Sequence, residues 1–229
     1  GKADTVVVAN GTSPPPTSTP VSATDKYLIG PNTQMMTAVL VLQLVEQGQL
    51  SLSDTLGAKL PGVVRQLPYA QAVTVGQLLE HRSGIPDYLS PSKLTYLCQD
   101  TAARTKQYTP ADVVRLIKAE GPANFAPGAD FELSNSNYYL AGLLLEIETG
   151  KDLYHLFEDK IFAPLGMCHS RYLNATPDPV DFSGFCGYDL RGITHSITSA
   201  GAVWSSSSTQ DYNPSLAGAA GAVVSNSAD

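Results

Sequence analysis

The stretch that decides the fold is Leu28-Ile-Gly-Pro-Asn-Thr-Gln-Met-Met-Thr-Ala-Val-Leu-Val-Leu-Gln-Leu-Val-Glu-Gln-Gly48. From Met35 to Val45 nearly every residue is apolar, which predicts a helix that other parts of the protein cover on most sides. Gly30 can take the cap position and Pro31 the first helical position, where a missing N–H leaves no intrahelical bond unmade. Gly48 favours the left-handed conformation that ends a helix. We therefore predict one buried helix that begins near residue 31.

Length and charge limit the functions that fit the chain. With 229 residues it can bury a sizeable core, as one large domain or as a domain with a subdomain. The net charge of −7, with 14 Lys and Arg against 21 Asp and Glu, argues against nucleic acid and against anionic membrane surfaces as partners. No apolar run in the sequence is long enough to span a membrane, and no signal peptide is recognisable.

Capping signals predict four more helices, which run from Thr74 to Gly84, Thr109 to Gly121, Ser136 to Glu148 and Asp152 to Phe162. Pro164 is expected to stop the last of them. The third is expected to turn five apolar side chains to the core: Tyr139, Leu140, Leu143, Leu144 and Ile147. His81, at the end of the first, is expected to pack and to complement the helix dipole rather than act as a base. A short strand is expected at Thr5–Gly11.

The spacing of cysteine and histidine indicates neither a disulfide framework nor a metal centre. Cys98, Cys168 and Cys186 have no metal-ligand spacing and leave open either one disulfide or three buried free thiols. No His/Cys cluster surrounds His155 or His169, so we expect both to be packed or surface residues rather than ligands. We expect no metal and no cofactor.

Four blocks of sequence carry a resemblance to a known family: Ile29–Asp54, Val73–Tyr88, Ala126–Tyr138 and Ile161–Met167. In this order they resemble the penicillin-recognising serine hydrolases, which comprise the DD-peptidases, the class C β-lactamases and related esterases. The resemblance implies an α+β fold of the β-lactamase/DD-peptidase type, in which a helical region dominates and the antiparallel sheet is incomplete. It also implies that the small residues of 213–226 pack behind the active site.

We expect a single β-lactamase-like domain over residues 1–229, truncated at both ends relative to the family. Residues 1–27 would form a strand and a lead-in rich in Pro, Ser and Thr, residues 28–170 the helical region, and residues 171–229 a loop region rich in Gly, Ser and Ala.

The resemblance also locates the catalytic motifs of the family, and the sequence departs from them. The Ser-x-x-Lys motif falls on Pro31 and Gln34, so the hydroxyl nucleophile, its backbone N–H in the oxyanion hole and the lysine base are all replaced. The Tyr-x-Asn motif falls on Leu133 and Asn135, so the tyrosine is replaced and the substrate-contacting asparagine is kept. The third motif, Lys or His followed by Thr or Ser and Gly, has no match. We predict that no catalytic residue is intact and that Asn135 binds substrate.

Three hypotheses about function follow from the motifs. The first is a catalytically inactive homologue that binds a peptide, a β-lactam or an ester-like ligand, or serves as an interaction surface. The second is a serine hydrolase, such as a D-alanyl-D-alanine carboxypeptidase, a β-lactamase or an esterase, in an altered or truncated form. The third is an assembly module whose sheet is completed by a protein partner or a second copy. The family implies an extracytoplasmic or secreted location.

Overall fold

The computed structural model describes residues 27–90, 106–173 and 214–226, together with positions 8, 10, 20, 22, 102, 103 and 229. Its strands are β1 (Tyr27–Leu28), β2 (Arg171–Tyr172) and β3 (Val223–Ser225). Its helices are α1 (Asn32–Glu46), α2 (Leu56–Lys59), α3 (Pro61–Val64), α4 (Val75–Leu79), α5 (Pro110–Ala119), α6 (Asn135–Thr149), α7 (Leu153–Phe157) and α8 (Ala163–Leu165). A π-helical turn spans Glu158–Phe162, and short 3-10 turns span Pro68–Ala70, Pro214–Leu216 and Gly218–Ala220. The fold is α+β and mainly helical, as predicted.

The three strands form one small antiparallel sheet in the order β1-β3-β2. Tyr27 lies opposite Ser225, and Arg171 lies opposite Val224. Each strand has two or three residues, so the sheet ties distant segments together without forming a broad surface. The strand predicted at Thr5–Gly11 lies largely outside the described residues.

Helix α1 ends where the sequence predicts and begins one residue later. The N-cap is Pro31 rather than Gly30, because Gly30 has φ +52 and the first turn closes with a bond from Gln34 N–H to the Pro31 carbonyl (2.9 Å). At the other end Gly48 has φ +69, and the Gln49 N–H reaches back to the Leu44 carbonyl at 2.9 Å. This is the Schellman arrangement that a glycine at this position favours.

The prediction that protein covers α1 on most sides is wrong for the described residues. Met35, Val39 and Leu42 expose 66%, 42% and 46% of their surfaces. They recur at intervals of four and three residues and therefore share one face of the helix. The buried residues of α1 lie on the remaining sides: Thr33, Thr37, Leu40, Val41 and Leu44.

A segment of small residues, 214–226, packs against both α1 and α6. The Thr37 hydroxyl donates to the Ala219 carbonyl at 2.8 Å, which fixes the segment to α1. On α6, a Cβ at Gly142 would lie 2.5 Å from the Ala219 Cβ, so only glycine permits this approach. Small residues at both positions let the backbones come close, so the segment packs against α1 and α6, and its place behind an active site stays a prediction.

Helix α4 shows a predicted start and an unpredicted end. The capping box between Thr74 and Gln77 is present, with both reciprocal hydrogen bonds. The helix ends at Leu79, five residues before Gly84, because His81 takes the left-handed conformation (φ +55) that we had assigned to glycine. Histidine is an uncommon residue at such a position, so composition alone does not reveal the stop.

Helix α6 buries a broader surface than its predicted stripe. Ala141 and Leu145 are buried, whereas Ile147, which we predicted to face the core, is 60% exposed. Leu145 and Ile147 lie about 200° apart around the helix axis, so burying one side chain exposes the other. Gly150 ends the helix in the left-handed conformation, as predicted.

The helical path that begins at Asp152 passes the predicted stop. It continues from α7 through the π-helical turn into α8, which contains Pro164, and Gly166 ends it at φ +69. In the π-helical turn the Ala163 N–H bonds to the Glu158 carbonyl, five residues back. The hydrogen-bond register has therefore already shifted before the proline, which accommodates its missing N–H.

Candidate active site

Two of the four sequence-predicted site residues lie in direct contact. Gln34 is half-buried in the first turn of α1, and its Nε2 donates to Asn135 Oδ1 at 3.1 Å. Asn135 is the first residue of α6 and lies 101 positions away along the chain. Pro31 is exposed just before α1, and Leu133 is 67% exposed just before α6. The starts of the two helices therefore form the candidate site.

Sequence reasoning missed a third member of this site, Asp87. Its Oδ2 accepts from Asn135 Nδ2 at 2.9 Å, and its Oδ1 accepts from the backbone N–H groups of Asn135 (3.2 Å) and Leu89 (2.9 Å). Burial raises the pKa of the Asp87 carboxyl, and the hydrogen bonds from Leu89 and Asn135 partly offset that effect. The bond to Leu89 N–H forms an Asx turn, which was the one local signal available in the sequence.

Ser136 fixes the start of α6 to the loop that carries Asp87. Its Oγ donates to the Pro86 carbonyl at 2.5 Å and accepts from the Tyr88 N–H at 3.2 Å. Ser136 is buried, so these bonds satisfy both a hydroxyl and two backbone groups that water does not reach.

Asn137 makes a second buried connection to the same loop. Its Oδ1 accepts from Ser83 Oγ at 2.5 Å, and its Nδ2 lies 3.2 Å from His81 Nδ1. The Ser134 N–H also donates to His81 Nδ1, at 3.2 Å. Two donors converge on this nitrogen, which assigns the imidazole proton to Nε2. All four residues of the Ser134-Asn-Ser-Asn137 run thus make hydrogen bonds to the segment from His81 to Tyr88.

His81 is a structural residue of the site. Desolvation lowers the pKa of its imidazole, and the ring packs against Tyr138 at 5.1 Å and Phe131 at 6.2 Å between centroids. The predicted packing is confirmed. The predicted complement to the helix dipole is wrong, because an imidazole with a lowered pKa is neutral near pH 7 and carries no positive charge.

A separate cavity of about 210 Å³ lies along the next turns of α6. Its lining includes Tyr139, Glu146 and Tyr172, and it does not include Gln34 or Asn135. Burial raises the pKa of the Glu146 carboxyl, which accepts from the Leu153 N–H at 3.1 Å. This cavity is distinct from the contact between the two helix starts.

The candidate site, with Gln34, Asn135 and Asp87, lies in a part of the chain that matches a known protein family. The β-lactamase family model matches residues 2–185, a range that contains all three. The chain belongs to the β-lactamase family. Within the matched range, the starts of α1 and α6 carry the amides of Gln34 and Asn135, and the loop before Leu89 carries the carboxylate of Asp87.

Similar proteins extend well beyond the length of this chain. It is 29% identical over 174 residues to protein flp of Staphylococcus aureus strain MW2, a match that covers 76% of this chain and 33% of flp. It is 28% identical over 180 residues to penicillin-binding protein 4* of Bacillus subtilis strain 168, covering 77% of this chain and 38% of that protein. The chain thus spans about a third of the length of the curated relatives that it matches.

A solved structure extends the comparison to the fold. The D-amino acid amidase from Ochrobactrum anthropi SV3, complexed with L-phenylalanine amide, superposes with a TM-score of 0.70 at 26% identity. The match covers 92% of this chain and 54% of the amidase. In the part of the chain that the structure describes, none of the helices combines the length and the apolar character that a membrane span requires.

Proposed function

We propose that this chain is a non-acylating member of the β-lactamase family that binds an amide-containing ligand without covalent chemistry. The observation that carries the proposal is the hydrogen bond from Gln34 Nε2 to Asn135 Oδ1. At this position the family resemblance requires a lysine amine that activates a serine hydroxyl. The Gln34 amide instead connects the starts of α1 and α6, and it cannot take up a proton near neutral pH.

Each requirement for acyl transfer is replaced by a residue of different chemistry. Pro31 offers neither a hydroxyl to attack a carbonyl nor an N–H to stabilise an oxyanion, a loss of about 3 kcal/mol for the oxyanion bond alone where it has been measured. Asp87 is the remaining acid, and its two oxygens already accept three hydrogen bonds from Leu89 and Asn135. A carboxylate occupied in this way positions Asn135 and does not serve as a general base.

The ligand class follows from the groups that remain. The Gln34 Nε2 and Asn135 Nδ2 groups each donate once within the site and keep a second N–H, and an amide oxygen accepts up to two bonds, so Gln34 Oε1 and Asn135 Oδ1 retain acceptor capacity. These groups match the C=O and N–H of an amide or peptide. The structural relative from Ochrobactrum anthropi is an amidase complexed with an amino acid amide. We therefore propose D-amino acid amides and D-alanyl peptides as ligands, with a β-lactam or an ester as a weaker fit because each lacks the N–H of the bond that the family cleaves.

The test is a titration of the chain with D-phenylalanine amide, followed by NMR shift changes, with the amino acid product assayed in the same sample. We expect saturable binding, no release of phenylalanine, and about tenfold weaker binding in Asn135→Ala, which corresponds to the loss of one hydrogen bond. Asn124→Ala is the matched control, because Asn124 is an exposed asparagine bonded to Glu132 outside the site. Steady turnover, or binding that Asn135→Ala leaves unchanged, would contradict the proposal.

A second candidate function is assembly, and the exposed face of α1 favours it. Met35, Val39 and Leu42 form an apolar stripe on a helix whose other sides are packed. Such a stripe is typical of a surface that another segment or another chain covers. We expect light scattering to give a mass that rises with concentration, and Val39→Gln/Leu42→Gln to abolish the rise. Leu165→Gln is the control, since Leu165 is a 70% exposed leucine on a different helix, α8. A constant monomer mass would exclude self-association.

A further inference from the structure

Three side chains of metal-binding type converge at a site remote from Asn135. Cys168 Sγ lies 3.4 Å from His169 Nδ1, and the same nitrogen lies 3.2 Å from Asp229 Oδ1. One ligand atom from each residue falls within 4.8 Å of the other two. Cys168 is a free, exposed thiol. The first two residues follow α8, whereas Asp229 follows β3.

We propose that Cys168, His169 and Asp229 bind a divalent transition metal ion of the Zn²⁺ type. Zinc takes thiolate sulfur at about 2.3 Å, imidazole nitrogen at about 2.0–2.1 Å and carboxylate oxygen at about 2.0–2.2 Å, in tetrahedral geometry. These bond lengths place sulfur and nitrogen about 3.6 Å apart, and nitrogen and oxygen about 3.4 Å apart. The observed separations of 3.4 and 3.2 Å agree with these to within about 0.2 Å. Sγ also lies 4.0 Å from Nε2, so the imidazole must rotate to point its Nδ1 lone pair at an ion shared with Sγ.

The surroundings of Asp229 support a role as a ligand. Its Oδ2 accepts from Ser170 Oγ at 2.8 Å and from the His169 N–H at 2.7 Å, which orients the carboxylate and directs Oδ1 to the imidazole. Outer hydrogen bonds of this kind fix metal ligands in known sites.

The charge balance and the donor set select the metal. One thiolate and one carboxylate neutralise a divalent cation, and neutral imidazole completes three ligands of the mixed N/O/S type that Zn²⁺ accepts. Three protein ligands leave one coordination position open for water or for an exogenous ligand. The thiol argues against Mg²⁺ and Ca²⁺, which bind oxygen ligands.

Sequence spacing could not reveal this site. Cys168 and His169 are adjacent, and Asp229 lies 60 residues further along, so no recognised ligand spacing arises. A bound metal would join the segment after α8 to the segment after β3, in addition to the hydrogen bond between Ser170 and Ser225 (2.8 Å).

The test is a Co²⁺ titration of the whole chain in a Cys98→Ser/Cys186→Ser background, where Cys168 is the one remaining thiol. We expect one Co²⁺ per chain, a thiolate-to-cobalt charge-transfer band, and displacement of the cobalt by Zn²⁺. Cys168→Ser is expected to remove the band. Asp229→Asn and His169→Gln are expected to weaken binding at least tenfold, and Ser170→Ala by about tenfold, the usual loss for an outer-shell partner.

The matched control is His155→Gln. His155 Nδ1 contacts Asp152 at 2.8 Å, so this pair repeats the histidine–carboxylate bond without a thiol. We expect His155→Gln to leave the spectrum and the affinity unchanged, and Zn²⁺ to raise the melting temperature of the background protein but not that of Cys168→Ser. The proposal is overturned if the background protein gives no charge-transfer band, or if His155→Gln weakens binding as much as His169→Gln.

Discussion

Asn137 is 1% exposed, yet it connects two polar side chains on a different segment of the chain. It accepts from Ser83 Oγ and lies within hydrogen-bond distance of His81 Nδ1. A buried amide stabilises the fold when its hydrogen-bond partners are present. If the amide is removed, those buried partners lose their hydrogen bonds, which lowers the free energy of unfolding. Asn135 lies two residues before Asn137 on α6, so the bonds of Asn137 to Ser83 and His81 also fix the position of Asn135. Residues of the second block of the family resemblance, Val73–Tyr88, therefore support the candidate site.

We predict that Asn137→Ala lowers the free energy of unfolding by about 2 kcal/mol or more, because Ser83 and His81 each lose a buried partner. Asn124→Ala, at an exposed asparagine, should cost less than about 0.5 kcal/mol. Urea unfolding at constant m-value measures both. Equal losses for the two variants would show that the buried network contributes no more than a surface bond.

Gly84 and Gly48 both have positive φ, at +74 and +69, but their surroundings differ. A Cβ on Gly84 would lie 2.1 Å from the Phe125 carbonyl oxygen, whereas nothing lies within 4 Å of a Cβ on Gly48. We predict that Gly48→Ala costs about 1 kcal/mol from left-handed strain alone. Gly84→Ala should cost about 3 kcal/mol or more, because the backbone must also move. Thermal and urea unfolding of the two variants should separate the effect of the left-handed backbone from that of the contact with the Phe125 carbonyl. Equal losses of unfolding free energy would contradict the close approach at Gly84.

At the scale of the element, helix α5 depends on a capping box that the sequence predicts. Asp112 Oδ2 accepts from the Thr109 N–H at 3.0 Å, and Thr109 Oγ1 accepts from the Asp112 N–H at 3.2 Å. Hydrogen bonds from Thr109 lower the pKa of Asp112 to about 2, from 3.8. Ion pairs with Lys106 and Arg115 lie at the surface and contribute little.

The capping box should make the stability of the chain depend on pH. Because the folded pKa of Asp112 is below its unfolded value, ionised Asp112 stabilises the fold above about pH 4. This contribution is lost as the pH falls from about 4 to about 2. We predict that Asp112→Asn costs about 1 kcal/mol at pH 7 and close to nothing at pH 2. Urea unfolding of both proteins at the two pH values measures the difference, and an equal cost at both would contradict the prediction.

Helix starts and glycine stops could be predicted from sequence because their signals are local. The boxes at Thr74 and Thr109 and the stop at Gly48 each need residues only three to five positions apart. Two other features could not be predicted in this way. The end of α4 near His81 goes with packing of the imidazole against Tyr138, which is remote in sequence. The helix continues through Pro164 because a π-helical turn shifts the hydrogen-bond register before it.

At the candidate site, the sequence predicts two of the residues that the structure brings into contact, and their role stays a prediction. Gln34 and Asn135 were identified because the resemblance assigns them to motifs, and the structure places them 3.1 Å apart. Asp87 was missed because its role arises from a bond to a residue 48 positions away. The contact of Cys168 and His169 with Asp229 was missed for the same reason, since no period or spacing along the chain encodes it.

At the scale of the molecule, the chain belongs to the β-lactamase family, and we propose that it lacks the acyl-transfer chemistry of that family. The match over residues 2–185 shows the family, and Pro31 and Gln34, at the positions that the resemblance assigns to serine and lysine, support the proposal. Buried hydrogen bonds of Asn137 and Ser136 hold the start of α6 to the loop that carries Asp87. A site held in this way is suited to binding, which is the function that we propose.

The most direct test of this proposal is the intact mass of the chain before and after incubation with a reactive β-lactam. We predict a mass near 24.2 kDa that does not shift, because Pro31 and Gln34 provide neither a nucleophile nor a base. We also predict no adduct in Pro31→Ser/Gln34→Lys, which still lacks the third family motif. A stoichiometric adduct on the unaltered chain would contradict the proposal and identify a working serine hydrolase. An adduct on the double variant alone would contradict only the requirement for the third motif.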